Sequence, residues 1–198
     1  MRLRPPLRVS ISRHEEKEQS LKEFLRRHIG KSGSERVLFC DLEVVARSLD
    51  SPLIRAITAL GEEIAAAGLT VRLIFAQLDG ETAPKAWARS VPFAHEIRWA
   101  KHPRLIEAHE QLVVGPEACW IGDCMRRDPA KCDAYESFVE GCGEAAGCAA
   151  VSFERLWHAS QAIATGAPRA TGISRSECEM AMRAGSKQAR EQNLATRH

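Results

Sequence analysis

Residues 36–78 contain two short apolar stretches separated by one amphipathic stretch, and this order constrains the fold more than any other feature of the chain. The stretches RVLFCDLEVV (36–45) and TVRLIFAQL (70–78) are rich in residues typical of buried strands. Between them, Pro52 is a helix start signal and Gly68 a stop signal. A strand, a helix and a strand with such short connections predict a βαβ unit with parallel strands and a right-handed crossover.

Other stretches of the chain carry further helix and strand signals. Ser12 and Glu15 stand at capping-box spacing before apolar residues that recur at helical intervals, which predicts an amphipathic helix over residues 12–29. A second helix is predicted to begin at Ser152, because Phe153 and the apolar residues after it also recur at helical spacing. Four more stretches have the composition of strands: 95–100, 105–115, 118–123 and 135–139.

Together these elements predict an α/β fold with a mixed, mostly parallel sheet flanked by helices. Gly115-Pro116 is predicted to turn one strand into the next, and the polar stretch with Gly80 and Pro84 is predicted to be a loop. Three parts are expected: an N-terminal helical segment (1–34), the α/β domain (35–165) and a polar tail (166–198). The tail holds too few apolar residues to bury a core, although 174–192 could form an exposed or partner-dependent helix.

The composition is typical of a soluble globular protein, with 44% hydrophobic and 27% charged residues and a formal net charge of +2. A net charge this small does not by itself predict nucleic-acid binding. No run approaches the roughly 18 apolar residues that span a bilayer. Arg8 and Arg13 fall where a signal peptide needs an apolar region. We therefore expect no transmembrane segment and a cytoplasmic location.

The chain has seven cysteines, many for a cytosolic protein. Five of them fall within 30 residues: Cys119, Cys124, Cys132, Cys142 and Cys148. None has the C-x2-C spacing typical of zinc ribbons, and the odd total argues against a complete disulfide framework. Reduced, mostly buried thiols are the main prediction, and a metal site or redox-linked chemistry are the alternatives. We predict no cofactor and assign no residue as a metal ligand.

Three stretches together resemble the phospholipase-D-like phosphodiesterase superfamily: LIRAITALGEEIAAAGLTVRLIFA (53–76), HEQLVVGPEACWIGD (109–123) and AAVSFERLWHAS (149–160). The resemblance covers about residues 35–162. In that family a strand carries His-x-Lys-x4-Asp, and a short hairpin follows that ends in Gly-Ser or Gly-Gly and an Asn. The closing helix often reads Phe-x-x-Leu-Trp, which Phe153, Leu156 and Trp157 match. The resemblance implies a phospholipase-D-like fold with its site at His109.

The central motif of the family is matched only in part. With the family's histidine at His109, Gln111 takes the place of the lysine and Pro116 that of the aspartate. The Gly-Ser turn falls at Gly122-Asp123, and the asparagine is not evident. In the family, one histidine attacks phosphorus to form a phosphohistidine, a second protonates the leaving oxygen, and lysines bind the phosphate oxygens. A chain with one motif would therefore need a homodimer that joins two copies of His109.

The departures predict impaired catalysis. Losing one group that stabilises developing negative charge costs about 100- to 1000-fold in rate, and Gln111 lacks the lysine's charge. Pro116 cannot orient the histidine as an aspartate would. Four neighbours are candidates to bind a ligand or to compensate, together with Gln111: Glu117, Asp123, Arg126 and Arg127. Arginines can contact phosphate in a bidentate manner, and the alternative is that both arginines face water.

Three functions remain open from the sequence. The first is a catalytically degenerate phospholipase-D-like domain that binds a phosphate-bearing ligand or a protein partner, the latter through the C-terminal tail. The second is an active homodimeric, metal-independent phosphodiesterase or nuclease that acts on a phosphodiester or nucleic-acid ligand, with His109 as the nucleophile. The third is an interaction protein whose cysteine-rich segment binds metal or responds to oxidation. Whether the protein is an enzyme stays undecided.

Overall fold

A strand–helix–strand unit stands at the centre of the fold, as the sequence predicts. The computed structural model describes residues 14–29, 41–77, 81–100, 108–125 and 135–163. The helices are α1 (His14–Ile29), α2 (Pro52–Ala59), α3 (Gly61–Ala66), α4 (Thr82–Ser90) and α5 (Gly143–Ala159). The strands are β1 (Asp41–Ala46), β2 (Thr70–Phe75), β3 (Ala94–Trp99), β4 (His109–Val114), β5 (Ala118–Cys124), β6 (Ser137–Val139) and β7 (Gln161–Ala162).

The predicted signals at both ends of the helical crossover between β1 and β2 are present. The Ser51 hydroxyl accepts a hydrogen bond from the backbone N–H of Ile54 at 3.4 Å, so it caps α2 just before Pro52. Gly68, after α3, has a φ of 69°, a conformation that glycine adopts without steric cost. These caps explain why two strands of six residues can lie parallel with such short connections.

The sheet is mixed but mostly antiparallel, which corrects the prediction of a mostly parallel sheet. The strand order is β6-β5-β4-β1-β2-β3-β7. Among the described strands, only the β1–β2 and β2–β3 pairs are parallel. Strand β4 returns beside β1 in the opposite direction, and the tight turn at Gly115 (φ 70°) joins it to β5. A tight hairpin turn can join only antiparallel strands, so β5 is antiparallel to β4.

Helices cover both faces of the sheet. The larger core cluster packs α1 and α2 on one face, where Phe24 and Ile57 meet strand residues such as Leu73 and Trp120. The other face receives α5, whose Phe153 and neighbouring apolar residues pack on the strands. Successive side chains of a strand point to opposite faces of the sheet, so the strands contribute residues to both clusters, as expected for a sheet buried on two sides.

Arginines on the sheet fasten α5 to its face. Arg72 of β2 contacts Glu43 at 3.2 Å and Glu154 of α5 at 2.8 Å. Its guanidinium carbon lies 4.5 Å from the ring centroid of Trp157, and that of Arg98 lies at the same distance. The ring of Trp157 therefore makes cation–π contacts with two guanidinium groups, and these contacts stabilise the packing of α5 on the sheet.

Two helices differ from the sequence prediction. A helix, α4, occupies Thr82–Ser90 where a loop was predicted around Pro84. Proline is tolerated in the first turn of a helix, because the N–H it lacks has no partner there. Helix α5 begins at Gly143 rather than at Ser152. The glycines and small residues of its first half carry no apolar periodicity, so the pattern became visible only at Phe153.

Several predictions lie outside the described residues. The proposed domain boundaries at 34/35 and 165/166 fall there, as does the C-terminal tail. Among the helices of the described chain, none combines the length and the apolar character that a bilayer crossing requires.

Candidate functional site

His109 lies at the end of the sheet where the parallel strands finish. It is the first residue of β4, and Gln111 two residues later pairs with Val45 near the carboxyl end of β1. His109 is exposed, whereas the rest of β4 is buried. Open α/β sheets bind ligands beyond the carboxyl ends of their strands. We call this region, with Arg47, Glu110 and Asp123, the His109 end.

The imidazole of His109 is held by a backbone carbonyl. Its Nδ1 lies 3.1 Å from the carbonyl oxygen of Gly122 on β5. A carbonyl oxygen can only accept a hydrogen bond, so Nδ1 carries the proton. In the neutral ring, the lone pair is then on Nε2. This is the tautomer in which Nε2 can bind an acidic group or attack an electrophile.

A β-bulge supplies that carbonyl. His109 pairs with Cys124 and Gln111 pairs with Ile121, so one residue of β4, Glu110, lies opposite two of β5, Gly122 and Asp123. The extra residue interrupts the alternation of β5 at Gly122-Asp123, and bulges of this kind re-aim side chains beside binding sites. Gly122 also has no room for a side chain: an added Cβ would lie 2.8 Å from Cζ2 of Trp120 and still closer to Cη2.

The bulge directs the side chain of Asp123 toward helix α1, where it forms a buried ion pair. The carboxylate of Asp123 lies 3.6 Å from Nζ of Lys17, and both side chains are fully buried. The backbone N–H of Tyr135 donates to the other carboxylate oxygen at 3.1 Å. Nζ of Lys17 also lies 5.5 Å from the ring centroid of Trp120. Helix α1 therefore fixes the residue next to Gly122, and through it the carbonyl that holds His109.

Arg47 and Glu110 form further hydrogen bonds at the His109 end. The backbone N–H of Arg47, which directly follows β1, donates to Oε1 of Glu110 at 3.1 Å. The guanidinium of Arg47 donates to the carbonyl of Cys124 at 3.1 Å. Arg47 and Glu110 are both buried. Hydrogen bonds therefore connect the residue after β1 with β4 and β5 around His109.

Gln111, at the position of the family's lysine, is turned inward. It is buried on the α5 side of the sheet, and its side-chain amide donates to the carbonyl of Ala149 at 3.0 Å. That amide nitrogen stabilises the contact between β4 and α5. It therefore does not face solvent beside His109.

The remaining predicted site residues do not join His109. Glu117 is exposed in the β4–β5 turn, at the opposite end of the hairpin from His109. The six residues from His109 to Val114 span about 17 Å of strand, so Glu117 lies far from the imidazole. Arg126 and Arg127 lie outside the described residues. Of the predicted site residues, Asp123 lies close to the His109 end, where its ion pair with Lys17 helps to fix the bulge.

Three residues at this end were missed in the sequence. Lys17 had a usable signal, because it precedes Leu21 by four residues and Phe24 by seven, which is the spacing of one helix face. Arg47 follows a predicted parallel strand at its carboxyl end, where ligand sites form. Glu110 had no signal, since its burial depends on the register of β4 against β1.

The buried charges at the His109 end carry no positive excess in the part of the chain that the structure describes. Lys17 and Arg47 are positive, and Glu110 and Asp123 are negative. Glu136 is also buried, next to the Tyr135 N–H that binds Asp123. Within the same residues, no three His, Cys, Asp or Glu side chains converge where they could hold a metal ion. The described part of this end therefore presents His109 without a fixed excess of positive charge.

The described cysteines differ in their surroundings. Cys119 is buried on β5, whereas Cys148 is exposed on α5. Burial raises the pKa of the Cys119 thiol, and the nearby Cys142 raises it further. Cys124 and Cys142 are partly buried, and all four are free thiols. The free thiols agree with the prediction for these four residues, but the prediction that they are mostly buried is wrong, since only Cys119 is buried.

Among solved structures, the chain is similar to NucT from Helicobacter pylori, with a TM-score of 0.45 and 12% sequence identity. The similarity covers 73% of this chain and 93% of that chain. No family model matches the sequence, and no curated protein matches it either. At this level of similarity, the chemistry of the site has to follow from its own residues.

Proposed function

We propose that this protein is a phospholipase-D-like domain that binds a phosphate-bearing ligand at the His109 end and turns it over poorly or not at all. The observation that carries the proposal is the hydrogen bond from Nδ1 of His109 to the carbonyl of Gly122, which orients the ring and leaves Nε2 free of that contact. The exposure of His109 beyond the carboxyl ends of the strands supports a ligand site there.

Weak or absent turnover follows from what surrounds the imidazole. Gln111 stands where the family's lysine would bind phosphate oxygens, and its amide donates to α5. The buried charges of the described His109 end carry no positive excess, so they do not stabilise the negative charge of a transition state. One missing stabilising group costs about 100- to 1000-fold in rate.

A fluorescent single-stranded DNA oligonucleotide is a suitable phosphodiester probe for this site. We expect His109→Ala to weaken binding, measured by fluorescence anisotropy, by at least tenfold, because the imidazole is the exposed group that contacts the phosphate. His158→Ala is the matched control, since His158 is an exposed histidine on α5. Equal binding of the wild type and His109→Ala would remove the proposed site.

The active homodimeric phosphodiesterase is the second candidate, because the same tautomer leaves Nε2 able to attack phosphorus. A chromogenic phosphodiester separates the two. Turnover that disappears in His109→Ala and persists in His158→Ala would establish the active enzyme and end the proposal of a degenerate site. Absence of His109-dependent turnover, together with His109-dependent binding, supports the binding domain.

A further inference from the structure

An open groove of about 760 Å³ runs along α5 and reaches Ala108, the residue before β4. The small residues Gly143, Gly147 and Cys148 line it together with Val151. Val151 is 53% exposed and is the large apolar side chain left exposed in the described part of the chain. An apolar groove of this kind on a surface helix marks a site where another surface packs.

The exposed residues of this helix face have a symmetric order. Glu144, Cys148, Val151 and Arg155 are all exposed, with spacings of four, three and four residues. Residues three and four apart lie on one face of a helix. The spacing is the same in both directions, and the two ends carry opposite charges.

We propose that this face binds the same face of a second copy of the chain, with the two α5 helices antiparallel. A two-fold axis between residues 149 and 150 would place Glu144 opposite Arg155 of the partner subunit. Cys148 would then face the partner's Val151. Each contact occurs twice, as an isologous interface requires. The charge complementarity of the face with itself favours a second copy over an unrelated protein.

Small residues at the contact allow the two helices to approach closely. Gly143 and Gly147 carry no side chain, and the distance between packed helix axes depends on the side chains at the contact. Helix α5 has 17 residues and is about 25 Å long. One such face is smaller than the roughly 800 Å² that each partner buries in a standard interface. We therefore expect a weak dimer, in the micromolar range.

This dimer would keep the two His109 side chains apart. Ala108, the neighbour of His109, packs near Leu156 of its own chain, and in this register Leu156 lies opposite the partner's Gly143. Thirteen residues of helix separate positions 143 and 156, which is about 20 Å. The pairing therefore does not bring two His109 residues to one phosphate, and it stands independently of the ligand proposed above.

Charge reversal tests the pairing directly, with the dimer dissociation constant measured by sedimentation equilibrium. We expect Glu144→Arg alone and Arg155→Glu alone to weaken the dimer about tenfold or more, because each places like charges opposite each other twice. The double variant restores both pairs and should recover the wild-type constant. Glu62→Arg, an exposed charge reversal on α3, should leave the constant unchanged.

Disulfide trapping gives a second readout. Val151→Cys places a thiol opposite the partner's Cys148, so mild oxidation should give a covalent dimer in higher yield than in the wild type. Glu62→Cys, on α3, should not increase that yield. A wild-type protein that stays monomeric, or a double charge swap that fails to restore the dimer, would overturn the proposal. Loss of ligand binding in His109→Ala has no bearing on either measurement.

Discussion

The carboxylate of Asp123 on β5 lies 3.6 Å from the ammonium group of Lys17 on α1, and solvent reaches neither side chain. This contact joins the first helix of the described chain to the bulge that holds His109. A buried ion pair adds little net stability over an apolar pair, but breaking one costs much more. The pair therefore ties the geometry of the site to the packing of α1.

Lys17→Met removes the ammonium that faces Asp123. We expect the free energy of unfolding to fall by about 3–5 kcal/mol, the usual cost of breaking a buried ion pair. Lys17→Met combined with Asp123→Asn should recover most of the loss, since no charge then stays buried in this pair and the amide oxygen still accepts from the N–H of Tyr135. Lys22→Met, on the same helix but partly exposed, should cost less than about 1 kcal/mol. Urea unfolding measures all three, and a small loss for Lys17→Met alone would contradict the expectation.

Gly122→Ala tests the bulge. The added Cβ collides with the ring of Trp120, so the bulge or the ring has to move. We expect a loss of about 1–3 kcal/mol in unfolding free energy, typical of overpacking, together with weaker oligonucleotide binding. The matched control is Gly147→Ala on α5, where an added Cβ meets no atom within 4 Å. There the helix should gain about 0.4–1 kcal/mol. The two variants should therefore change stability in opposite directions.

Gln111→Lys introduces the lysine of the phospholipase-D-like motif at a position that is buried. The new ammonium would enter the buried contact between β4 and α5 instead of facing a ligand. We expect a loss of at least ~2 kcal/mol in unfolding free energy, because burying a charge costs several kcal/mol. Gln19→Lys on the exposed side of α1 should change stability by less than about 0.5 kcal/mol. A stable Gln111→Lys variant that gains phosphodiesterase turnover would show that this side chain reaches the ligand.

The thiol of Cys119 should make stability depend on pH in the alkaline range. Its pKa is raised by burial, so the folded protein favours the neutral thiol. This contribution is fully present below the ordinary thiol pKa of about 8.5 and is lost as the pH rises through the raised value. Unfolding free energy measured against pH should fall more steeply above about pH 8.5 in the wild type than in Cys119→Ala.

The same burial predicts a difference in reactivity. At neutral pH, iodoacetamide should alkylate the exposed Cys148 well before Cys119 in the folded protein. Peptide mapping by mass spectrometry distinguishes the sites. Equal rates at the two cysteines would mean that Cys119 is not shielded in solution.

Local signals predicted the βαβ unit and the hairpin at Gly115, because helix caps and turns depend on a few neighbouring residues. The prediction of a mostly parallel sheet was wrong, because strand pairing depends on residues far apart in the sequence. Nothing near β4 indicates that it lies beside β1, since that pairing joins residues about 70 positions apart. The start of α5 was missed because Gly143 and Gly147 lack the apolar spacing that marks a helix.

The site was predictable only at His109. Its place at the head of an apolar strand is visible in the sequence, and the structure puts it at the exposed end of that strand. The bulge at Gly122 is not visible, because a glycine before an aspartate is equally typical of a simple turn. Since the bulge decides where Asp123 points, the ion pair with Lys17 and the support of the imidazole could not be inferred.

The outermost strands of the sheet are its shortest. Strand β6 has three residues and β7 has two, whereas the five strands between them have six or seven. Unpaired backbone groups on a long flat border would act as a template for strands of other molecules, which leads to aggregation. Strands of two and three residues offer other molecules very few hydrogen bonds. Among the described strands, β7 pairs only with Arg98 and Trp99 of β3, so residues 94–96 are the part of this edge at which strand addition remains open.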